Sequence, residues 1–200
     1  MPQRRQLHVV VIIGSTRSGR FGPTIAEWFA RHAQRRADLN VDVVDLAVAG
    51  LPDTLTDDSE PRPVAVLALA GRLAAADAFV VVTPEYNCSF PAQLKTAIDW
   101  YVEEWQAKPV MFVSYGRESG GLLAAGQLRQ IFSGLDAVPI RDCISLPRYW
   151  EQFAPDGSWP RHTAECNTTI NATLDQLAWW AAALRDARAT YPYRRSEKNR

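Results

Sequence analysis

The sequence has no long hydrophobic run. Its longest apolar stretches, Val9 to Ile13 and Phe79 to Val82, fall far short of the roughly 18 residues of a membrane-crossing helix. A soluble chain with no membrane partner is therefore expected. No charge sign is in excess: 22 Lys and Arg balance 22 Asp and Glu, so no net field draws the chain to nucleic acid or an anionic lipid surface. Cysteine is scarce and odd in number, and Cys88, Cys143 and Cys166 are widely scattered. That fits reduced thiols better than a disulfide frame or a zinc knuckle. His8, His32 and His162 make no HExxH or triad spacing, and no metal is expected. Arg4 and Arg5 precede the first apolar run, but Gly14 ends it and no small-residue cleavage site follows, so the expected location is cytoplasmic.

What is present is an alternation of short β-branched runs with helical stripes. Strands are expected at His8 to Ile13, Val41 to Leu46, Ala78 to Thr83, Pro109 to Ser114 and Val138 to Ile144. Between them lie helical stripes: Ile25, Trp28, Phe29, His32 and Ala33; Val66, Leu69, Ala70 and Leu73; Leu94, Ile98, Tyr101 and Trp105; and the segment Leu122 to Phe132. Ile170, Leu174, Leu177, Ala181 and Leu184 mark a last long helix, and 49–63 reads as linker. Five parallel strands with right-handed crossovers give a doubly wound α/β sandwich with helices on both faces. At 200 residues one domain is expected over 1–190, followed by a loose polar tail at 191–200. In the strand order 2-1-3-4-5 a ligand sits beyond the C-terminal strand ends, between the first and third strands.

Two loops therefore carry the chemistry. GSTRSGRFGPT, from Gly14 to Thr24, brings small residues and hydroxyls to a helix N-terminus. Backbone N–H groups and the helix dipole favour an anion there, with Ser15, Thr16 and Ser18 as further donors and Arg17 as a charged fork. The spacing fits neither GxxxxGK[ST] nor GxGxxG, so a mononucleotide phosphate suits it better than a nucleoside triphosphate or a dinucleotide. The plainer alternative is a polar βα loop with an N-cap hydroxyl. Arg20 is taken as a solvated surface charge.

The second loop, TPEYNCSFPAQLKTAIDW from Thr83 to Trp100, is an irregular turn before a proline-started helix. Pro84 fixes the strand exit, Tyr86 offers a flat ring, and Asn87 and Ser89 can offer polar groups to a heterocycle edge; otherwise Tyr86 only caps the core. These two motifs resemble the NADPH-dependent FMN reductase family, from about Val9 to Phe132. The resemblance implies a flavodoxin-like fold, bound FMN, NADPH or NADH as reductant, and homodimers or homotetramers. By position, Ser15, Thr16, Arg17 and Ser18 resemble the phosphate loop; Pro84, Glu85, Tyr86 and Asn87, with Ser89, resemble the isoalloxazine loop; Ser114, Tyr115 and Gly116 resemble a third flavin-edge turn. Cys88, where Gly or His is common, and the charged pair Arg117 and Glu118 depart from the pattern and bear on substrate preference.

The implied reaction is hydride transfer from NAD(P)H to FMN and onward to a small-molecule acceptor: a flavin, quinone, azo dye or similar compound. It needs no catalytic side chain, because the cofactor carries the chemistry. The rival is a flavodoxin-type electron carrier without NAD(P)H turnover, though such carriers are typically strongly acidic; a member that has lost redox turnover is a further alternative. Cys88 has no nearby His to activate it and is given a packing role. Pro147 to Trp159, with Tyr149, Trp150 and Phe153, is either an aromatic flap over the site or a loop pinned by aromatic packing. Trp100 is expected to turn away from the core, and at most one of the adjacent Trp179 and Trp180 can face it. Exposed indoles of this kind mark an interface formed by the third helix and the flavin-side loops.

Overall fold

The computed structural model describes residues 5–57, 59–154, 156, 158 and 163–193. In chain order they form β1 (Leu7–Ile13), α1 (Gly22–Ala33), β2 (Leu39–Asp45), α2 (Val64–Ala75), β3 (Ala78–Pro84), α3 (Ala92–Asp99), β4 (Pro109–Gly116), α4 (Leu122–Gly134), β5 (Val138–Pro139), β6 (Ile144–Pro147), a 3-10 turn at Tyr149–Glu151 and α5 (Thr163–Thr190). All strand pairs are parallel, in the order β2-β1-β3-β4-β5, with β6 also beside β4. The fold is flavodoxin-like. No helix among the described residues is long and apolar enough to cross a membrane.

Side chains alternate across a strand, so β1 feeds two cores. Val9, Val11 and Ile13 join Ile25 and Phe29 of α1 and Leu174 and Leu177 of α5. Val10 and Ile12 join Leu69 and Leu73 of α2, Leu94 and Ile98 of α3, and Leu128 and Phe132 of α4. β3 and β4 are buried at every position, which is why they read as unbroken apolar runs.

Three expectations need correction. The fifth strand, read as continuous from Val138 to Ile144, is split: Val138 and Pro139 pair with Pro109 and Val110, and pairing resumes only at Ile144 with Val113. Residues 140–143 thus oppose only Met111 and Phe112, so the chain must leave the ladder. Side chains from the flanking helices satisfy the excursion. Arg129 of α4 donates to the carbonyls of Ile140 and Arg141, and the Asp142 N–H donates to Oε1 of Gln176 on α5 at 3.1 Å.

The third helix stops at Asp99, although its stripe runs on in sequence to Trp105. Trp105 still reaches the core, its ring 4.7 Å from that of Phe79 and its Nε1–H donating to the Ile98 carbonyl at 3.1 Å. Trp100, expected to point away, is buried, with its Nε1–H donating to the Pro52 carbonyl at 3.1 Å. The linker supplies the cover that periodicity could not foresee. Trp179 is exposed and Trp180 half-buried, as adjacent helical positions require.

The N-terminal edge of the sheet is closed by charge. Buried Asp77 accepts from the His8 N–H at 2.9 Å and lies 3.5 Å from Arg5, 3.8 Å from Arg185 and 3.7 Å from Arg188. Buried Lys108 donates through Nζ to the carbonyls of Leu73 and Ala74, at 2.8 and 2.9 Å, and so caps the C-terminus of α2. Its burial, with Arg188 nearby, lowers the ammonium pKa from 10.5 to about 8.

Candidate active site

A cleft lies beyond the C-terminal ends of β1, β3 and β4. Its larger lobe, about 620 Å³, is lined by Arg17 to Phe21 of the first loop, Pro84 to Tyr86 of the second, Tyr115 to Arg117 after β4, and Tyr149 and Trp150. An adjoining lobe of about 580 Å³ shares Arg17, Glu85, Tyr86 and Arg117 and adds Asn87 and Cys88.

The first loop leaves β1 through Gly14, whose N–H donates to the Val82 carbonyl at 2.9 Å. A Cβ there would stand 2.9 Å from Leu94 Cδ2 and 3.2 Å from that carbonyl, so only glycine allows so close an exit. Ser15 is buried, its Oγ 2.7 Å from the Tyr86 hydroxyl, which ties the first loop to the second. The backbone N–H groups of Thr16, Arg17, Ser18 and Gly19 have no acceptor among the described residues. The Thr16 side chain borders a separate pocket of about 250 Å³ with Gln93 and Thr96, while Arg17 and Ser18 are exposed beside the cleft.

Arg20 is not the solvated charge expected from sequence. The turn at Gly19, closed by the Arg20 N–H on the Arg17 carbonyl at 3.2 Å, carries it back over the end of β2. There its Nη2 lies 2.5 Å from Oδ2 of Asp45, the two side chains 20% and 21% exposed. Its Nε is buried and has no partner among the described residues. A half-buried guanidinium with its buried Nε unmet, on the same loop as four unpartnered backbone N–H groups, fits a phosphate.

In the second loop, reciprocal hydrogen bonds between Tyr86 and Ser89, at 2.8 and 3.0 Å, close a two-residue turn. Asn87 and Cys88 at its tip have φ of 49° and 66°, as in a type I′ turn. The Ser89 hydroxyl donates to Oε1 of Gln127 at 2.7 Å, and Nε2 of Gln127 donates to the Cys88 carbonyl at 2.9 Å, so Ser89 faces α4 and not the cleft. The Glu85 carboxylate is also committed. It accepts from Ser119 Oγ at 2.8 Å and from the Leu123 N–H at 3.0 Å, capping the N-terminus of α4.

After β4, Ser114 is buried and donates to the Gly120 carbonyl at 2.9 Å. Tyr115 and Gly116 line the cleft. Burial, with the phenols of Tyr86 and Tyr149 adding to it, holds the Tyr115 hydroxyl above its usual range, so it stays protonated and able to donate. The Arg148 N–H spans the carbonyls of Gly116 and Arg117 at 3.0 and 3.1 Å and fixes the aromatic turn to this loop. Tyr149 packs between Phe21 and Tyr115, with ring centroids 4.9 and 5.1 Å away; Phe153 packs on Phe21 and Trp28. Tyr149 and Trp150 both line the cleft, and Trp150, 51% exposed, stands at its rim. Packing thus pins most of this segment, and one indole borders the site; Trp159 and His162 lie outside the described residues. Sequence reasoning missed Arg20 and Phe21 as cleft residues, while Arg117, singled out for substrate preference, lines both lobes. The Gly19 that reverses the chain before Arg20 was the one available signal.

A family model described as NADPH-dependent FMN reductase matches residues 7–151. The chain belongs to the NADPH-dependent FMN reductase family. An NAD(P)H-dependent FMN reductase of Schizosaccharomyces pombe is 36% identical over 154 residues, covering 70% of this chain and 74% of its own. A quinone reductase of Escherichia coli is 36% identical over 138 residues, covering 66% and 73%. Among solved structures, the flavoenzyme FerB, an NAD(P)H:(acceptor) oxidoreductase of Paracoccus denitrificans, has a similar fold. Its TM-score is 0.75 at 24% identity, covering 88% of this chain and 98% of its own.

Proposed function

We infer that this FMN reductase family member is an FMN-dependent NAD(P)H oxidoreductase that passes electrons to a small-molecule acceptor of the flavin, quinone or azo class. Beyond family membership, the observation that carries this reading is the pairing of the unsatisfied donors around Arg20 with the Tyr86 turn across one cleft. Its volume of about 620 Å³ is that of a small-cofactor site. The N–H groups of Thr16 to Gly19, with Arg17, Ser18 and Arg20, hold the FMN phosphate. Pro84 to Asn87 and Tyr115 to Gly116 border the ring system. Ser15, Ser89 and Ser114 act one step back, holding the three loops in register. When bound, FMN supplies the two-electron chemistry between the nicotinamide and the acceptor. The protein's own task is to orient, to balance charge and to leave one face accessible.

The test is the purified protein itself. It should be yellow, release FMN and not FAD, and oxidise NADPH or NADH steadily with a quinone. A colourless protein that neither takes up FMN nor oxidises either reductant would sink the reading; a flavin-loaded protein without steady NAD(P)H oxidation would return it to the electron-carrier class.

We further propose one functional unit over 1–190, working in the cytoplasm as a homodimer or homotetramer. Leu122 and Leu123 at the start of α4, 51% and 50% exposed, and Trp150 put large apolar side chains on the flavin-side loops, where a second subunit would cover them. With Trp100 buried, the interface rests on these loops and not on that indole. Light scattering should give two or four times the 22.3 kDa chain mass.

A further inference from the structure

The two lobes share a cation, Arg117, that is not among the groups assigned above to the FMN phosphate. Arg117 follows β4, is exposed, and has no ion pair or side-chain hydrogen bond among the described residues. Arg17, on the first loop, lines the same lobe and is likewise unpaired. Glu85, the one acid lining it among the described residues, spends both carboxylate oxygens on Ser119 and on the N-terminus of α4, so it bridges neither arginine. With Arg17 given to the FMN phosphate and Glu85 committed to α4, the Arg117 guanidinium has no counter-charge in this lobe and is furnished for an anion. Position says which anion. Tyr86, Asn87 and Cys88 of the turn line this lobe, whereas Arg20 lines the larger one. A nicotinamide ring placed at that turn has to lead the rest of its dinucleotide outward, and that remainder carries the phosphates.

We propose that Arg117, in the lobe it shares with Arg17 and the Tyr86 turn, forms a subsite for a phosphate group of the nicotinamide dinucleotide and so helps to set which reductant is used. The proposal rests on the FMN-dependent NAD(P)H reading above. Two phosphates could be the one held, the 2′-phosphate of NADPH or the diphosphate shared with NADH, and the reductants separate them.

The experiment compares FMN-loaded wild type, Arg117→Ala and Arg117→Lys. It measures kcat/KM for NADPH and NADH with a neutral and with an anionic quinone, and binding of 2′,5′-ADP by calorimetry. Losing one charge-assisted contact should lower kcat/KM with NADPH about tenfold, chiefly through KM. FMN content should stay the same, and the Lys variant should recover part of the loss. A loss confined to NADPH, with 2′,5′-ADP binding weakened to a similar degree, assigns the 2′-phosphate; an equal loss with NADH assigns the diphosphate. Unchanged kinetics with both reductants would overturn the proposal, as would a loss seen only when the quinone itself is anionic. Wild type that oxidises neither reductant would instead bring down the reading on which the proposal rests.

Discussion

Both ends of the sheet gather basic side chains at strand termini, but in opposite states. At the N-terminal edge, Arg5, Arg185 and Arg188 converge on Asp77, the Arg188 guanidinium also donates to the Ala107 carbonyl, and Lys108 is bonded to two carbonyls of α2. At the C-terminal edge, Arg17 and Arg117 are unpaired among the described residues and Arg20 keeps a buried Nε without an acceptor; positive φ does not separate the two edges, since Asn87 and Cys88 have it here and Ala107 and Asp136 at the other. One edge is complete in the chain alone; the other has donors whose acceptors must come from outside it. Unmet donors persist only where the surroundings enforce them, which is why they mark sites.

The largest effect expected from this contrast is on stability. Asp77→Asn keeps the shape but removes the charge that Arg185 and Arg188 face at the closed edge, and should cost about 3 kcal/mol in denaturant unfolding. FMN affinity should hold. A parallel fall in FMN affinity would mean that the two edges are coupled through the sheet.

A second difference of about 2 kcal/mol appears as a pH slope. Lys108 titrates near 8 in the fold against 10.5 ordinarily, so between those values the unfolded chain binds more protons and stability rises with pH. From pH 8 to 10 the gain should be about 2 kcal/mol, and Lys108→Met should abolish it. The neutral amine can still donate to both carbonyls, so the cap survives the titration. Burial holds the phenols of Tyr101 and Tyr115 above their ordinary value, and they oppose the trend only above about pH 10. Unfolding curves of the two proteins at pH 8, 9 and 10 would reveal or refute the slope.

At the open edge the effects should fall on binding. Arg20→Met should weaken FMN by about 1 to 3 kcal/mol in a titration, the value of a charge-assisted hydrogen bond. Arg17→Ala, at an exposed site, should cost less. Equal losses would show that the half-buried position of Arg20 confers no advantage.

Which of these features the sequence reveals depends on what encodes them. Strands β1 to β4 are legible because burial on both faces leaves long β-branched runs, and the site loops because topology places them together. The break in the fifth strand is not, since Val138 to Ile144 looks uniformly suitable and the excursion is stabilised by Arg129 and Gln176 from remote helices. Trp100 is covered by Pro52, 48 residues away, and no periodicity reports such a contact. Arg20 reads as surface because its partner, Asp45, ends a different strand. Glu85 and Ser89 were legible as members of the site loop, but not that both would turn toward α4.

The smallest effect concerns Cys88. A type I′ turn puts both central residues at positive φ, which Asn87 tolerates well and Cys88, at 66°, does not. Glycine would remove roughly 1 to 2 kcal/mol of left-handed cost but add back part of that in the freedom of the unfolded chain. The net gain from Cys88→Gly should be about 0.5 to 1 kcal/mol in denaturant unfolding. Cys88→Ala, which keeps the Cβ and loses only the sulfur, should change nothing measurable. Since the thiol lines the adjoining lobe, the two variants together separate backbone from chemistry. If the closed edge is the structural one, Cys88→Gly raises stability and leaves FMN binding and turnover in place. If both variants slow NADPH oxidation alike while stability follows the backbone argument, then the sulfur itself contacts a substrate, and the strain at the open edge is retained for its sake.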